Sequence, residues 1–218
     1  MIRALFFDLD GTLLDTIHDI QRAINQALKD CGYSYSFDHE GTKRLIGNGA
    51  DMLIKRALKE KGGDVDAFSE LKKAYMPYYK LWQNDHTAPF EGLKDVLNKL
   101  KEEGILLFVV TNKPAHLAPI VVKEHYGDLF TEILGQKDGI PVKPDPYYVN
   151  YLLEKYHLRK EETLFVGDSL PDVETGHNAG VKTVLCKWGY GFYDAELLGK
   201  SDFVAETPKA LQELLARL

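Results

Sequence analysis

Four stretches of the chain hold consecutive apolar residues and then stop at polar ones. Ala4–Phe7 (ALFF) ends at Asp8. Residues 106–110 (LLFVV) end at Thr111-Asn112, residues 163–166 (TLFV) at Gly167-Asp168, and residues 183–185 (TVL), after Cys186, at Lys187. Short unbroken apolar runs predict strands buried on both faces. Ile133-Leu134 and Phe203-Val204 are weaker strand signals. Helical spacing fills the intervals: Leu93, Val96, Leu97 and Leu100 make one stripe, and Leu211, Leu214 and Leu215 another. Strands alternating with helices predict an α/β fold, a doubly wound, Rossmann-like parallel sheet covered on both faces.

One region departs from this alternation. Residues 16–84 show helical spacing (Ile17, Ile20, Ile24 and Leu28; then Leu53, Ile54, Ala57 and Leu58) and no strand run. Gly62-Gly63 interrupts the pattern, and residues 68–82 resume it with aromatics. The expected organisation is a core of residues 1–15 and 85–218, with residues 16–84 inserted as a small all-helical domain. A Pro- and Gly-bearing loop at residues 86–92 marks the return.

Composition narrows the classes. The 218 residues are 44% hydrophobic and 28% charged, values of an ordinary globular chain, which excludes disorder, collagen-like repeats and coiled coils. A net charge of −6 argues against nucleic acid or an anionic membrane as partner, but leaves room for a small anion in one cationic pocket. Cys31 and Cys186 form no metal or redox motif, which suits a reducing compartment. The first apolar run is too short for a signal-peptide core, so a cytoplasmic location is expected.

The acids stand where the predicted strands end. In a doubly wound sheet, ligands bind beyond the carboxyl ends of the strands. The first strand runs into Asp8-Leu9-Asp10-Gly11-Thr12, and the i, i+2 spacing puts Asp8 and Asp10 on one side. Two adjacent carboxylates repel, so one keeps a proton or both share a cation. Gly167-Asp168-Ser169-Leu170-Pro171-Asp172 adds two more acids. A set of hard oxygen ligands without His or Cys points to Mg2+. Thr111-Asn112-Lys113 adds hydrogen-bond donors, and Lys143, in VKPDP, adds an ammonium on a proline-stiffened loop. Acids, a divalent cation, an ammonium and such donors together make a phosphoryl-transfer site.

These motifs, in this order, resemble the haloacid dehalogenase-like phosphatases. The matching stretches are FFDLDGTLLDT (residues 6–16), VVTNKP (109–114), VKPDP (142–146) and VGDSLPDV (166–173). The helical insertion is similar to that family's cap domain, and LIGNGADMLIKRAL (45–58) resembles its phosphoglycolate phosphatase branch.

The resemblance implies a Mg2+-dependent hydrolase in which Asp8 is the nucleophile and forms an aspartyl-phosphate. Asp10 would then be the general acid and base. Asp8, the Asp10 carbonyl and Asp168 would hold the metal, with Asp172 behind them. Thr111 and the Asn112 backbone would bind phosphate oxygens, and Lys143 would offset their charge. Asp10 also favours phosphate over carbon–halogen chemistry.

Gly47-Asn48-Gly49 is the candidate substrate-facing loop, with a plain helix-start turn as its alternative. Lys113 is placed near a substrate anion, with a surface role as its alternative; Lys43 and Arg44 are placed among solvated charges, with contact to a substrate carboxylate as theirs; Tyr75, Tyr78, Tyr79 and Trp82 are placed in packing rather than in a stacking platform. Trp188-Gly189-Tyr190-Gly191 is either a loop near the site or a turn. The partner is a small phosphorylated molecule, 2-phosphoglycolate first, for a monomer or homodimer. Pyrophosphate hydrolysis, sugar-phosphate hydrolysis or mutase chemistry, and a receiver-type signalling module are the alternatives.

Overall fold

The computed structural model describes residues 1–218. In chain order the elements are β1 (Ala4–Phe7), β2 (Leu14–Asp15), α1 (Ile17–Asp30), α2 (His39–Lys43), α3 (Gly49–Ala57), α4 (Val65–Trp82), β3 (Ala88–Pro89) and α5 (Leu93–Glu102). There follow β4 (Leu106–Pro114), α6 (Ala118–Tyr126), β5 (Glu132–Gln136), α7 (Tyr147–Lys155) and β6 (Thr163–Gly167). The chain ends with α8 (Leu170–Ala179), β7 (Lys182–Cys186), α9 (Ala195–Lys200), β8 (Phe203–Ala205) and α10 (Pro208–Leu215). No helix is long and apolar enough to cross a membrane.

Six strands form one sheet in the order β5-β4-β1-β6-β7-β8, all paired in parallel. All six strand runs in the sequence pattern are strands of this sheet. β1 shows why its run is apolar at every position. Leu5 and Phe7 pack with α5, α6 and α10 on one face, while Ala4 and Phe6 pack with α7 and the end of α8 on the other. A strand buried on both faces has no position for a polar side chain until it leaves the sheet, and β1 leaves it at Asp8.

Residues 17–82 contain only helices. Ile20, Ile24 and Leu28 of α1 meet Leu53 and Ile54 of α3 and Leu71, Tyr75 and Tyr79 of α4 in a cluster separate from those flanking the sheet. Chain entry and exit are tied together. β2 pairs antiparallel with β3, Leu14 opposite Pro89 and Asp15 opposite Ala88. The return loop of the sequence reading therefore contains a short strand, too brief to show any periodicity. Asp19, buried in the first turn of α1, clamps the exit by accepting from His86 N at 3.0 Å, Thr87 N at 2.9 Å and Thr87 Oγ1 at 2.8 Å.

Candidate active site

Asp8 follows the last residue of β1, and its backbone N–H still donates to Val166 O of β6 at 3.0 Å, so the carboxylate stands rigidly at the sheet's carboxyl edge. The chain then turns at Gly11, whose φ of +85° suits glycine, and an added Cβ would lie 2.6 Å from Asp168 Oδ2. That turn brings Thr12 back over the site, where its hydroxyl donates to Asp168 Oδ1 at 3.0 Å. The other oxygen, Asp168 Oδ2, accepts from Tyr190 N at 2.8 Å.

Asp172 occupies the first turn of α8. Its Oδ2 accepts from Ser169 N at 3.0 Å and Ser169 Oγ at 2.6 Å, so the GDSxxD stretch is a helix start as well as part of the site. Its Oδ1 accepts from Lys143 Nζ at 2.6 Å. The same ammonium lies 2.7 Å from Asp8 Oδ1. The Lys143 loop is held by the Asn112 side chain, which donates to Lys143 O at 3.2 Å and accepts from Lys143 N at 2.9 Å. The Asn112 amide is thus spent on positioning Lys143.

Thr111 through Lys113 lie inside β4 rather than after it. The strand shifts register between Val110 and Pro114 yet still pairs Pro114 with Gln136 of β5, so pairing outlasts the apolar run. Thr111 Oγ1 accepts from Lys113 N at 3.2 Å. Lys113 Nζ lies 3.4 Å from Asp10 Oδ1 and donates to Tyr79 Oη.

Asp8, Asp168 and Asp172 are all buried, with carboxylate oxygens within 4.8 Å of one another. Three carboxylates face one buried ammonium. Burial raises the Asp8 carboxyl well above the usual carboxylate range; Lys143 opposes this, and Asp172 and Asp10 reinforce it. Burial likewise raises Asp168, with Asp172 and Asp8 adding to the shift. For Lys143, the attraction of Asp172 and Asp8 outweighs the opposing effect of burial and holds the ammonium charged. Asp8 Oδ1 is buried and, despite its closeness to Lys143, makes no aligned hydrogen bond. Surplus negative charge, hard oxygen donors and an unsatisfied carboxylate oxygen fit a divalent cation.

Two cavities meet at Asp10. One of about 40 Å3 is lined by Asp8, Asp10, Tyr75, Tyr79, Thr111 and Lys113, among others. The second, of about 450 Å3, lies between the helical insertion and the core, with Lys43, Arg44, Asn48 and Arg56 facing Asp168, Glu174 and Asp194. Asn48 is the residue before α3, so the GNG loop is both a helix start and a cavity wall. Its Oδ1 accepts from Arg56, which also donates to Leu45 O at 3.0 Å and Ile46 O at 2.9 Å. Lys43 pairs with Glu40 at 2.7 Å, while Arg44 is exposed at the rim.

The chain matches the model of the haloacid dehalogenase-like hydrolases over residues 5–186. It belongs to that family. Among its relatives, the phosphoglycolate phosphatase of Aliivibrio fischeri is 33% identical over 99% of this chain and 97% of its own length. That of Pectobacterium atrosepticum is 36% identical over 94% and 88%. The crystal structure of a predicted phosphoglycolate phosphatase from Haemophilus somnus matches with a TM-score of 0.90 at 30% identity, covering 98% of each chain. A haloacid dehalogenase-like family hydrolase from Streptococcus pneumoniae matches with a TM-score of 0.86 at 27% identity, covering 99% of this chain and 98% of its own.

Within this haloacid dehalogenase-like site, four residues escaped the sequence reading of function. Thr12 was visible as the residue after Gly11, and Arg56 within the branch-like stretch. The spacing places Tyr79 in packing alone, and the Trp188–Gly191 stretch reads as a loop near the site or a turn without marking the Tyr190 hydroxyl, since both side chains reach the site from distant elements.

Proposed function

We propose that this chain is a Mg2+-dependent phosphomonoester hydrolase acting on 2-phosphoglycolate, giving glycolate and phosphate. The observation that carries the reading is the buried set of three carboxylates and one ammonium at the ends of β1 and β6, with Asp10 beside it. Full-length similarity to relatives named phosphoglycolate phosphatase supports the substrate. In this reading residues 1–15 and 85–218 are the catalytic core and residues 16–84 a cap that covers the site.

Asp8 attacks phosphorus: its carboxylate oxygen forms the new P–O bond as the bond to the leaving oxygen breaks. Asp10 gives that leaving oxygen a proton, then takes one from the water that hydrolyses the aspartyl-phosphate. Asp8, the Asp10 carbonyl and Asp168 would hold Mg2+, and Asp172, its oxygens already bonded to Lys143 and Ser169, braces the set. When bound, the ion would supply charge neutralisation for the phosphate. Thr111 and the Asn112 backbone grip phosphate oxygens. Lys143, fixed by Asp172 and Asn112, balances the charge of nucleophile and phosphate. Lys113 lines the small cavity beside Asp8 and contacts the leaving group, while Asn48 lines the larger cavity next to it. In this reading the enzyme is a cytoplasmic monomer or homodimer whose partner is the small phosphorylated substrate.

The test is phosphate release from 2-phosphoglycolate with and without Mg2+, alongside Asp8→Asn. Turnover that requires Mg2+ and falls at least about 1,000-fold in the variant is expected. Substantial turnover by a folded Asp8→Asn protein defeats the nucleophile assignment.

A further inference from the structure

Lys113 is a buried cation with an incomplete set of partners. Its side chain is 1% exposed, and its nearest carboxylate, Asp10, is 3.4 Å away, whereas the Lys143 ion pairs close to 2.6 and 2.7 Å. An ammonium has three N–H donors. One goes to Tyr79 Oη and one, at long range, to Asp10, which leaves the third without an acceptor. Burying a weakly paired charge is costly, and an anion placed beside it recovers that cost.

Tyr79 faces the same space. It belongs to α4, stacks on Tyr75 with ring centroids 5.1 Å apart, and lines the small cavity with Asp8, Asp10 and Lys113. Its oxygen accepts from Lys113, and its own O–H donates to nothing in the protein. Burial pushes that hydroxyl well above its ordinary pKa, with Asp10 adding to the effect, so it stays a donor. One N–H of Lys113 and the O–H of Tyr79, adjacent donors, therefore have no acceptor beside a cavity of about 40 Å3. Thr111 and Asp8 line the same cavity.

We propose that Lys113 and Tyr79 together form the subsite for the carboxylate of a two-carbon leaving group. Tyr79 is thereby a specificity residue supplied by the inserted helices, not only a packing residue. The inference rests on the phosphatase reading above and adds to it how the leaving group is recognised. No bond is made or broken at this subsite: Lys113 and the Tyr79 O–H donate to the two carboxylate oxygens while the phosphate end lies at Asp8.

The test compares kcat/KM for three monoesters that differ in the charge of a two-carbon leaving group: 2-phosphoglycolate, ethyl phosphate and O-phosphoethanolamine. The wild type is expected to prefer the anionic over the neutral ester by about 100-fold, from two charge-assisted hydrogen bonds, and to disfavour the cationic one. Lys113→Met should cut the anionic-to-neutral ratio by about 30-fold or more, chiefly through KM, and relieve the penalty on the cationic ester. Tyr79→Phe should cut the same ratio by about 5- to 10-fold. It removes one oxygen and keeps the ring stack, so it serves even where Lys113→Met does not fold. The ratio cancels any change in Asp10 common to all three esters. A wild-type ratio near one overturns both this subsite and the 2-phosphoglycolate reading. A large wild-type ratio that survives Tyr79→Phe and Lys113→Met overturns the subsite alone.

Discussion

Replacing Tyr190 with Phe tests how the return loop after β7 holds the start of the helical insertion. The Tyr190 hydroxyl accepts from Thr16 N at 2.6 Å and Ile17 N at 3.0 Å, and it donates to Asp15 Oδ1 at 2.6 Å. Thr16 precedes α1, and its own side chain supplies no cap. A tyrosine more than 170 positions away therefore caps that helix, a role usually filled by a local Ser, Thr, Asp or Asn.

Tyr190→Phe keeps the ring and removes the acceptor. Thr16 N is then left without a partner, and Ile17 N keeps only Asp15 Oδ1 at 3.5 Å. An unsatisfied buried donor costs about 1–3 kcal/mol, and Ile17 adds a fraction of that, for a total loss of about 2–4 kcal/mol. With a urea m-value of about 2–3 kcal/mol/M for a chain of this size, the midpoint falls by about 1 M. The two tryptophans allow both regions to be followed by fluorescence: Trp82 lies on α4 and Trp188 next to the substituted loop, so single-tryptophan versions report each in turn. A loss below 0.5 kcal/mol would refute the capping argument and show that Asp15 or water satisfies both N–H groups.

Three further outcomes follow from other contacts. In Gly189→Ala the new Cβ would lie 2.1 Å from Gly11 O and 2.5 Å from Asp168 Cβ, backbone and site atoms that cannot yield. A stability loss of about 3 kcal/mol or more and a large fall in kcat are expected by urea unfolding and phosphate release. Arg56→Met strands the Leu45 and Ile46 carbonyls and the Asn48 amide oxygen, so thermal unfolding should shift down by about 4–8 °C, while an unchanged Tm would mean the loop holds its shape unaided. Burial tends to raise the Asp202 carboxyl, but bonds from Thr183 and His177 outweigh it and hold it below its ordinary 3.8. Its charged form is therefore favoured by folding. That stabilisation is complete above pH 3.8 and lost as pH falls through the lower folded value. Asp202→Asn should be less stable than wild type at pH 7 and converge with it once pH falls below the lowered folded value of the carboxyl; a constant difference at every pH would reject the ionic origin.

Much of the site could be read in the chain itself because the pattern is local. A strand buried on both faces admits no polar side chain, so the first acid after ALFF or TLFVG marks a sheet edge, and the fold puts all such edges together. Asp8 and Asp168 are legible in this way, Asp10 and Asp172 through their spacing from them, and Lys143 only through its proline-flanked loop. The helical insertion is legible too, since its 3.6-residue spacing does not depend on what it packs against. β2 and β3 escaped because two-residue strands carry no period. The extension of β4 through Lys113 escaped because backbone pairing with β5 continued after the apolar side chains had stopped.

What the linear sequence left undecided is every contact made by a side chain whose partner lies far along the chain. Asn112 could bind phosphate with its amide or hold Lys143, and only the loop's approach in space assigns the amide to Lys143. Tyr79 has the spacing of a packing residue on α4 and is one, yet the same ring carries a hydroxyl to Lys113. Tyr190 lies in a Gly-flanked stretch with no period, and the packing of that loop over Asp168 brings its oxygen to the start of α1. Periodicity and composition report which side of an element is buried. The partner of a buried polar atom depends on the distance between elements, and that is set only when the whole sheet and its helices are assembled.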